Sequence, residues 1–313
     1  MGQGSGFGKV ILFGEHFVVH GVPGIVSAID STTDATVKKT GSQIVIRDER
    51  RTAIGYSQEK KLQQLESIDR MLKKMGIIQE TALEIWIGGT LPGFSGLGAS
   101  AASSVAIARA VAETFSMKLT DEQINNVAYE GEKAYAGTPS GIDNTAATFG
   151  GLLWFQRNIT GNSNNIETLH IREPIDIIIG STGIVANTKA MVEGVADRKR
   201  RYAEKYNVVF RRAEEIAFAG RKALLDFNLD KVGQLMNENH HLLQQIEVSH
   251  ERLDHLVETA IGQGAFGAKL TGGGGGGCMT ALTPGKTLQK KVAKAIEKEG
   301  YEVLCTRIGI EKT

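Results

Sequence analysis

Two acidic residues of the chain have types and spacing that suit phosphoryl transfer. Glu132 lies near the end of a helical pattern, and Asp143 follows in the segment GTPSGIDN at residues 137–144. Beside a phosphate-binding loop, one carboxylate can ligate Mg²⁺ while the other orients or deprotonates the attacking hydroxyl group. A lysine close to the second carboxylate would screen charge on the transferred phosphoryl group. Each carboxylate taken alone is more simply explained as a surface residue, so the assignment depends on the glycine motifs around them.

Glycine is abundant, at 38 of 313 residues, and it is clustered in motifs. The first motif is GKVILFGEH at residues 8–16, which predicts a strand with Lys9 at one end and Glu15 and His16 at the other. Such a strand can bring both signs of charge to one cleft. An ordinary edge strand with exposed charges has the same pattern.

The second motif is PGFSGLGASAA at residues 92–102, which follows a predicted strand and opens a helix of small residues that runs to about Phe115. Its glycines would let backbone N–H groups approach an anion, and the helix N-terminus favours negative charge, so the motif suits a polyphosphate. The Ser100 hydroxyl could ligate Mg²⁺ as well as cap the helix. Close packing of small residues is the alternative explanation.

The third motif is KLTGGGGGGC at residues 269–278, with six consecutive glycines. A flexible linker would explain such a run, because glycine loses the most conformational entropy on folding. However, strand-like segments at 265–270 and 278–282 flank it, which indicates a tight loop between paired strands that can lie close to a ligand.

Other glycine segments imitate two nucleotide-binding signatures, the dinucleotide fingerprint and the Walker A motif. GxGxxA at 96–101 and GxGxxG at 272–277 fit the loose dinucleotide fingerprint, but the first has no well-placed acidic residue about twenty positions on, and the second follows no strand-to-helix pattern. GKT at 285–287 resembles the end of a Walker A motif, but Thr280 stands where its leading glycine is required. We interpret both as chance matches.

Short apolar runs alternate with helical patterns, which predicts a mixed α and β fold. A capping box that begins at Thr120 predicts a helix to about Ala136, ended by Gly137. The candidate strands are residues 10–13, 25–29, 44–47, 83–87, 152–155, 175–179, 265–270 and 303–308. Further candidate helices are residues 60–75, 188–206, 209–226, 229–246, 250–262 and 288–299. Two apolar stripes predict buried helix faces: Leu62, Leu65, Ile68, Leu72 and Met75, and then Leu253, Leu256, Val257, Ala260 and Ile261.

Length and charge restrict the class of protein. The 313 residues suggest two domains, which we place at 1–172 and 173–313. The net charge of +1 is unlike that of a general nucleic-acid or anionic-membrane binder, and no apolar run approaches the roughly 20 residues that cross a bilayer. Two cysteines, Cys278 and Cys305, cannot make a disulfide framework, so reduced thiols and a cytoplasmic location are expected.

The three motifs together, in this order, resemble the galactokinase–homoserine kinase–mevalonate kinase–phosphomevalonate kinase (GHMP) superfamily, and within it the mevalonate kinase family. The segment GEKAYAGTPSGIDN at 131–144 and the residues Asn239 and His240 are similar to that family as well. The resemblance spans essentially the whole chain. It implies an α+β, two-domain GHMP kinase fold with the active site in the interdomain cleft. It also implies ATP and Mg²⁺ as cofactors, mevalonate as a small-molecule substrate that is phosphorylated on its 5-hydroxyl in isoprenoid biosynthesis, and a homodimer.

The resemblance also implies roles for individual residues. Asp143 would be the catalytic aspartate with Lys9 as its partner, and Ser100 and Glu132 would hold Mg²⁺. Residues that would bind ATP are Pro92, Gly96, Leu97, Gly98, Ala99, Ser100, Ala101 and Ala102. Residues that would bind mevalonate are Glu15, His16, Thr271 and Gly272.

The chain departs from the family pattern at three positions. Phe7 replaces the usual proline before Gly-Lys, Ala99 replaces the first of two serines, and Gly273 stands where alanine is frequent. Galactokinases continue the GEH segment with Thr-Asp-Tyr, whereas this chain continues with FVVHG. Phosphomevalonate kinase or another small-molecule kinase of the superfamily is the alternative activity. A ligand-sensing relative without turnover should have lost Lys9, Glu132 or Asp143.

Overall fold

The computed structural model describes residues 1–41, 43–51, 56–77, 82–93, 96–161 and 163–310, with side chains in the first helix from residue 61 onward. The chain forms two compact units. The first unit contains Met1–Lys9, Asp30–Phe94 and Gly98–Gly150, and the second contains Val10–Ile29, Ser95–Leu97 and Gly151–Thr313. The domains 1–172 and 173–313 stay a prediction.

Strands and helices are both abundant, as the α+β prediction requires. The strands are β1 (Gly2–Phe13), β2 (Gly24–Lys39), β3 (Val45–Asp48), β4 (Leu83–Gly89), β5 (Leu152–Gln156), β6 (Asn165–Leu169), β7 (Ile175–Ser181), β8 (Gly267–Thr271), β9 (Cys278–Leu282) and β10 (Glu302–Ile308). The helices are α1 (Tyr56–Lys74), α2 (Ala99–Thr114), α3 (Asp121–Ala136), α4 (Ile142–Phe149), α5 (Thr188–Arg201), α6 (Ala203–Leu225), α7 (Leu229–Gln245), α8 (Glu251–Gly262) and α9 (Lys286–Lys298). A short 3₁₀ helix spans Phe17–His20. None of the helices in these described ranges is long and apolar enough to span a bilayer.

In the first unit, β4 pairs parallel with β3 and antiparallel with β2. Ile68, Met71 and Leu72 of α1 pack in the core with α2 and α3. The predicted stripe on α1 is wrong at its start, because Leu62 is 80% and Leu65 is 38% exposed. Helical periodicity shows which side of a helix is apolar, but it does not show how far along the axis another element covers that side.

The first strand lies unusually close to α2. A Cβ atom at Gly4 would lie 2.3 Å from the carbonyl oxygen of Ala106, and one at Gly6 would lie 2.3 Å from that of Ala102. Glycine on the strand and alanine on the helix therefore allow backbone-to-backbone packing. Ala102, the last residue of the second motif, takes part in this close packing, and β1 delivers Lys9 to the beginning of α2.

The capping box predicted for α3 is confirmed. The Thr120 hydroxyl accepts a hydrogen bond from the Gln123 N–H at 3.3 Å, and Gln123 Oε1 accepts one from the Thr120 N–H at 2.8 Å. The sequence did not predict α4, which has only 8 residues and begins after Gly141 in a left-handed conformation with φ of 89°. So short a helix shows too little periodicity to be recognised.

In the second unit, β10 pairs with β7 and with β2, and β7, β9 and β8 follow in antiparallel order. The pairing of β8 with β9 confirms that the six glycines connect paired strands.

The strand β6 was not predicted, because it is a polar, mostly exposed strand that pairs with β5. On α8 the stripe is buried except for Ile261, which is 39% exposed. Helix α5 ends at Arg201 rather than 206, and α6 begins at Ala203.

Candidate active site

Lys9 and Asp143 form an ion pair in the first unit. The Nζ atom of Lys9 lies 3.2 Å from Oδ1 of Asp143. Lys9 is only 1% exposed, and a buried ammonium group requires a charged or polar partner to offset its lost hydration. Asp143 lies in the first turn of α4, where the partial positive charge of the helix N-terminus stabilises a carboxylate.

Gly98 makes room for the Lys9 side chain. Its φ is +68°, and a Cβ atom there would lie 2.8 Å from Cγ and 3.0 Å from Cε of Lys9. The aliphatic part of Lys9 therefore passes directly beneath the backbone at the start of α2. Any larger residue would have to displace the lysine as well as adopt a left-handed backbone conformation.

Ser100 and Glu132 form a second pair in the same unit. The Ser100 hydroxyl donates a hydrogen bond to Oε2 of Glu132 at 3.2 Å. Glu132 is only 5% exposed, and its Oε1 atom has no hydrogen-bond partner within the described part of the chain. Burial, followed by the negative charge of Asp143, raises the pKa of Glu132 to about 8.

This pair fits a divalent cation. A buried carboxylate oxygen without a partner and a neighbouring hydroxyl are oxygen ligands of the kind that Mg²⁺ prefers. A cation there would also oppose the effect of burial on the pKa, because it stabilises the charged carboxylate. Across the described ranges no three His, Cys, Asp or Glu side chains cluster as a complete metal site.

The start of α2 is suited to an anion. Gly98 is the N-cap residue, no side chain of the described residues caps the backbone, and the first turn contains no acidic residue. Ala99, Ala101 and Ala102 have buried side chains, so this turn offers backbone N–H groups and the partly exposed Ser100 hydroxyl. Among the other predicted ATP residues, Pro92 and Leu97 are buried and Gly96 is half-buried. Phe94 and Ser95 of the motif lie outside the described residues.

The sequence analysis missed Arg50, which supports this turn. Its buried guanidinium group donates to both carboxylate oxygens of Asp48, at 2.9 and 2.7 Å. It also donates to the Ala99 carbonyl oxygen at 3.2 Å and to the Ser103 hydroxyl at 2.8 Å. Arg50 thus links the end of β3 to the first turn of α2. No motif contains Arg50, and contacts so distant in sequence leave no local signal.

In the second unit, Lys269 pairs with Glu15. Both side chains are fully buried, and the Lys269 ammonium group donates a hydrogen bond to Oε1 of Glu15 and another to the Leu270 carbonyl oxygen at 2.7 Å. The Thr271 hydroxyl accepts a hydrogen bond from the Ile11 N–H at 3.1 Å. The first and third motifs therefore meet side by side. Lys269 stood within the third motif, but its role as the partner of Glu15 was not predicted.

His16 is held as a neutral imidazole. It has a left-handed backbone, with φ of 60°, and its Nε2 atom lies 2.9 Å from the Gly273 carbonyl oxygen. A carbonyl oxygen can only accept, so Nε2 carries the proton and Nδ1 has a free lone pair. Burial lowers the pKa of His16 to about 4, and Nδ1 is buried without a hydrogen-bond partner among the described residues. His16 can therefore accept a hydrogen bond from a ligand hydroxyl.

The glycine loop 272–277 is a tightly held structure. A Cβ atom at Gly272 would lie 2.6 Å from Cα of Gly96, so the second and third motifs touch backbone to backbone within this unit. At its other end, the Gly277 N–H donates to the Ile184 carbonyl oxygen at 3.0 Å, and Gly277 O accepts from the Thr182 hydroxyl at 2.8 Å. The flexible-linker alternative is therefore wrong.

Comparisons with known proteins agree with one another. The chain matches the GHMP kinases N terminal domain over residues 64–151 and the GHMP kinases C terminal domain over residues 221–302. It is 35% identical to a mevalonate kinase of Pyrococcus abyssi, over 97% of this chain and 94% of that protein. It is 33% identical to one of Pyrococcus horikoshii, over 97% and 94%. The chain belongs to the mevalonate kinase family of the GHMP kinases.

A solved structure agrees with this membership. The crystal structure of L. major mevalonate kinase in complex with R-mevalonate aligns with a TM-score of 0.91 and 34% identity, over 100% of this chain and 97% of that chain. The GHMP kinase fold expected from the three glycine motifs is therefore confirmed. As a kinase of this family, the protein uses ATP and a small-molecule substrate.

The predicted site residues of this family member fall into two groups. The first unit brings together Lys9, Asp143, Ser100 and Glu132 around the start of α2. The second unit brings together the predicted substrate residues of the first and third motifs, which are Glu15, His16, Thr271 and Gly272. Each group is assembled from segments that are far apart in the sequence.

Proposed function

We propose that the protein transfers the γ-phosphoryl group of ATP to the 5-hydroxyl of mevalonate, which gives 5-phosphomevalonate and ADP in the mevalonate pathway of isoprenoid biosynthesis. The relatives named above are mevalonate kinases, and the L. major structure contains R-mevalonate. The observation that carries the proposal is the ion pair of Lys9 with Asp143 in the same unit as the Ser100–Glu132 pair.

Asp143 is the proposed catalytic residue. Its carboxylate is partly exposed, so it can accept a hydrogen bond from the 5-hydroxyl and orient the oxygen for attack. Lys9, fixed beneath Gly98, is held at one oxygen of that carboxylate and supplies positive charge where the phosphoryl group is transferred. Positioning and charge neutralisation supply most of the acceleration in a loose phosphoryl-transfer transition state.

Ser100 and Glu132 are the proposed Mg²⁺ residues. The bound metal ion would neutralise charge on the ATP phosphates. Because the pKa of Glu132 is about 8 without a cation, this carboxyl group would give up a proton if it held a metal ion at neutral pH. The N–H groups at the start of α2 would bind phosphate oxygens. The proposed ATP residues are Pro92, Gly96, Leu97, Gly98, Ala99, Ser100, Ala101 and Ala102.

The second unit supplies the proposed mevalonate residues. His16 offers the lone pair of Nδ1 to a substrate hydroxyl, and the Lys269 ion pair fixes the Glu15 carboxylate. Thr271 and Gly272 lie where the glycine loop leaves β8. The Nδ1 lone pair of a neutral histidine suits a hydroxyl donor better than an ionised phosphate, because phosphate oxygens are acceptors. This favours mevalonate over phosphomevalonate.

A homodimer and a cytoplasmic location belong to the same proposal. They rest on the family resemblance and on the two free cysteines, Cys278 and Cys305. Light scattering coupled to size-exclusion chromatography tests the dimer directly, because a mass of one 33.7 kDa chain at working concentration would contradict it.

A substrate panel tests the activity. ADP release is measured with mevalonate, phosphomevalonate, galactose and homoserine, and the Asp143→Ala variant serves as the control for contaminating kinases. We expect the highest kcat/KM with mevalonate and loss of that activity in the variant. A preference for phosphomevalonate would contradict the substrate assignment. ATP binding without ADP release on any of the four would contradict catalysis itself.

A further inference from the structure

Side chains of α7 bind the edge of β8 that faces away from β9. β8 lies at the end of the strand order, so every second N–H group points away from β9. The Ala268 N–H donates to Oδ1 of Asn237 at 2.8 Å, and the Leu270 N–H donates to Nδ1 of His240 at 3.3 Å. Two α7 residues one turn apart thus satisfy the last two outward-facing N–H groups before the glycine loop.

His240 can do this only in one protonation state. Because Nδ1 accepts a hydrogen bond, the proton of the neutral ring must lie on Nε2. That atom lies 3.1 Å from Oδ1 of Asp254 but without hydrogen-bond geometry, and the same oxygen accepts a hydrogen bond from the Ser249 hydroxyl. Burial lowers the pKa of His240 to about 4, so the ring stays neutral near pH 7. The negative charge of Asp254 beside Nε2 favours the tautomer with the proton on that atom, which leaves Nδ1 free to accept.

The connection between α7 and α8 also holds the glycine loop. The Gly275 N–H donates to the Val248 carbonyl oxygen at 2.9 Å, and Arg198 donates to the Ile246 carbonyl oxygen at 2.8 Å. Residues 240–254 therefore contact both the strand that enters the loop and the loop itself. Lys269 and Thr271 lie on either side of Leu270, whose N–H group His240 binds.

We propose that His240, oriented by Asp254, is a positioning residue that fixes the end of β8 and thereby places Lys269 and Thr271. It acts through these residues and does not itself bind substrate. Its effect on catalysis rests on the proposed function, whereas the tautomer and the hydrogen bond to Leu270 do not.

The tautomer is tested by NMR of ¹⁵N-histidine-labelled full-length protein without ligand. We expect the His240 ring of the wild type to carry its proton on Nε2. Asp254→Ala should raise the population protonated on Nδ1, because it removes the carboxylate charge beside Nε2. Asp254→Asn should raise it less, because the amide oxygen keeps a partial negative charge there. A wild-type ring protonated on Nδ1, or an Asp254→Ala spectrum identical to that of the wild type, would overturn the proposal.

Kinetics test the consequence. His240→Leu leaves the Leu270 N–H without an acceptor, so kcat/KM for mevalonate should fall about 10- to 100-fold while KM for ATP changes less than about threefold. His240→Asn restores an acceptor close to the position of Nδ1 and should recover most of the loss. The matched control is His255→Asn, which changes an exposed histidine paired with Glu299.

The outcomes separate the two proposals. Equal activity of His240→Leu and wild type, or no recovery in His240→Asn, would refute the positioning role. If His240→Leu does not fold, the His240→Asn and Asp254 variants still decide the question. If the wild type phosphorylates none of the panel substrates, the proposed function fails, and the NMR spectra still show whether Asp254 sets the His240 tautomer.

Discussion

Replacement of Glu132 by glutamine should remove a loss of stability that the wild type shows as the pH rises. The buried carboxyl group of Glu132 has a pKa of about 8, compared with an ordinary value of 4.5. Below pH 4.5 the group is protonated in both the native and the unfolded state. Between pH 4.5 and about 8 the native state alone keeps the proton, so the free energy of unfolding falls as the pH rises. Glutamine has the same shape and does not titrate.

The size of the effect follows from the shift. A difference of about 3.5 pKa units corresponds to at most about 5 kcal/mol at 1.36 kcal/mol per unit, reached above pH 8. We therefore expect Glu132→Gln to resemble the wild type at pH 5 and to exceed it in stability by about 3–5 kcal/mol at pH 8.5. Saturating Mg²⁺ and ATP should narrow this difference, because only the ionised carboxylate of the wild type binds the metal strongly.

Urea unfolding, followed by circular dichroism and tryptophan fluorescence, measures this difference at pH 5, 6.5 and 8.5. Glu130→Gln is the matched control, because Glu130 lies on the same helix, is partly exposed and pairs with Lys133 at 2.8 Å. The reasoning is refuted if wild type and Glu132→Gln lose stability in parallel as the pH rises. It is also refuted if Glu130→Gln behaves as Glu132→Gln does.

Three further substitutions test the first unit. Asp143→Ala should lower kcat by about 10²–10⁴-fold with the ATP dissociation constant nearly unchanged by calorimetry, and near-normal turnover would remove Asp143 from its role. Ser100→Ala should raise several-fold the Mg²⁺ concentration that gives half-maximal activity, and an unchanged metal titration contradicts the ligand assignment. Gly98→Ala should lower both Tm and kcat, because it adds backbone strain of about 1–2 kcal/mol and displaces Lys9. Gly76→Ala, with φ of +71° and no described atom within 4 Å of the added Cβ, should lower Tm alone, and equal kcat losses would contradict the contact argument.

Local sequence signals predicted most of the secondary structure. The capping box at Thr120 placed the start of α3, and the segments beside the six glycines placed β8 and β9. Two elements escaped, α4 because it is short and β6 because it is polar. Leu62 and Leu65 show the converse error, because an apolar stripe was present but its beginning is exposed.

The identities of the candidate site residues were also largely predictable from the sequence. The order of the three glycine motifs and the segment ending at Asp143 indicated which residues could handle phosphate, metal and substrate. The supporting contacts were not predictable. Arg50 binds the Ala99 carbonyl oxygen across 49 residues of sequence, and Lys269 binds Glu15 across 254. Such pairs leave no periodicity or spacing that a single sequence could show.

The sequence by itself determined the family, the phosphate-binding glycines and the identities of the acidic and basic residues, because these depend on residue type and short-range order. Only the tertiary structure decided that Glu132 is buried with an unpartnered oxygen, that Lys9 passes beneath Gly98, and that His16 is a neutral acceptor. Protonation and hydrogen-bonding state depend on burial and on neighbouring charge. Those are properties of the folded environment, which distant segments of the chain create together.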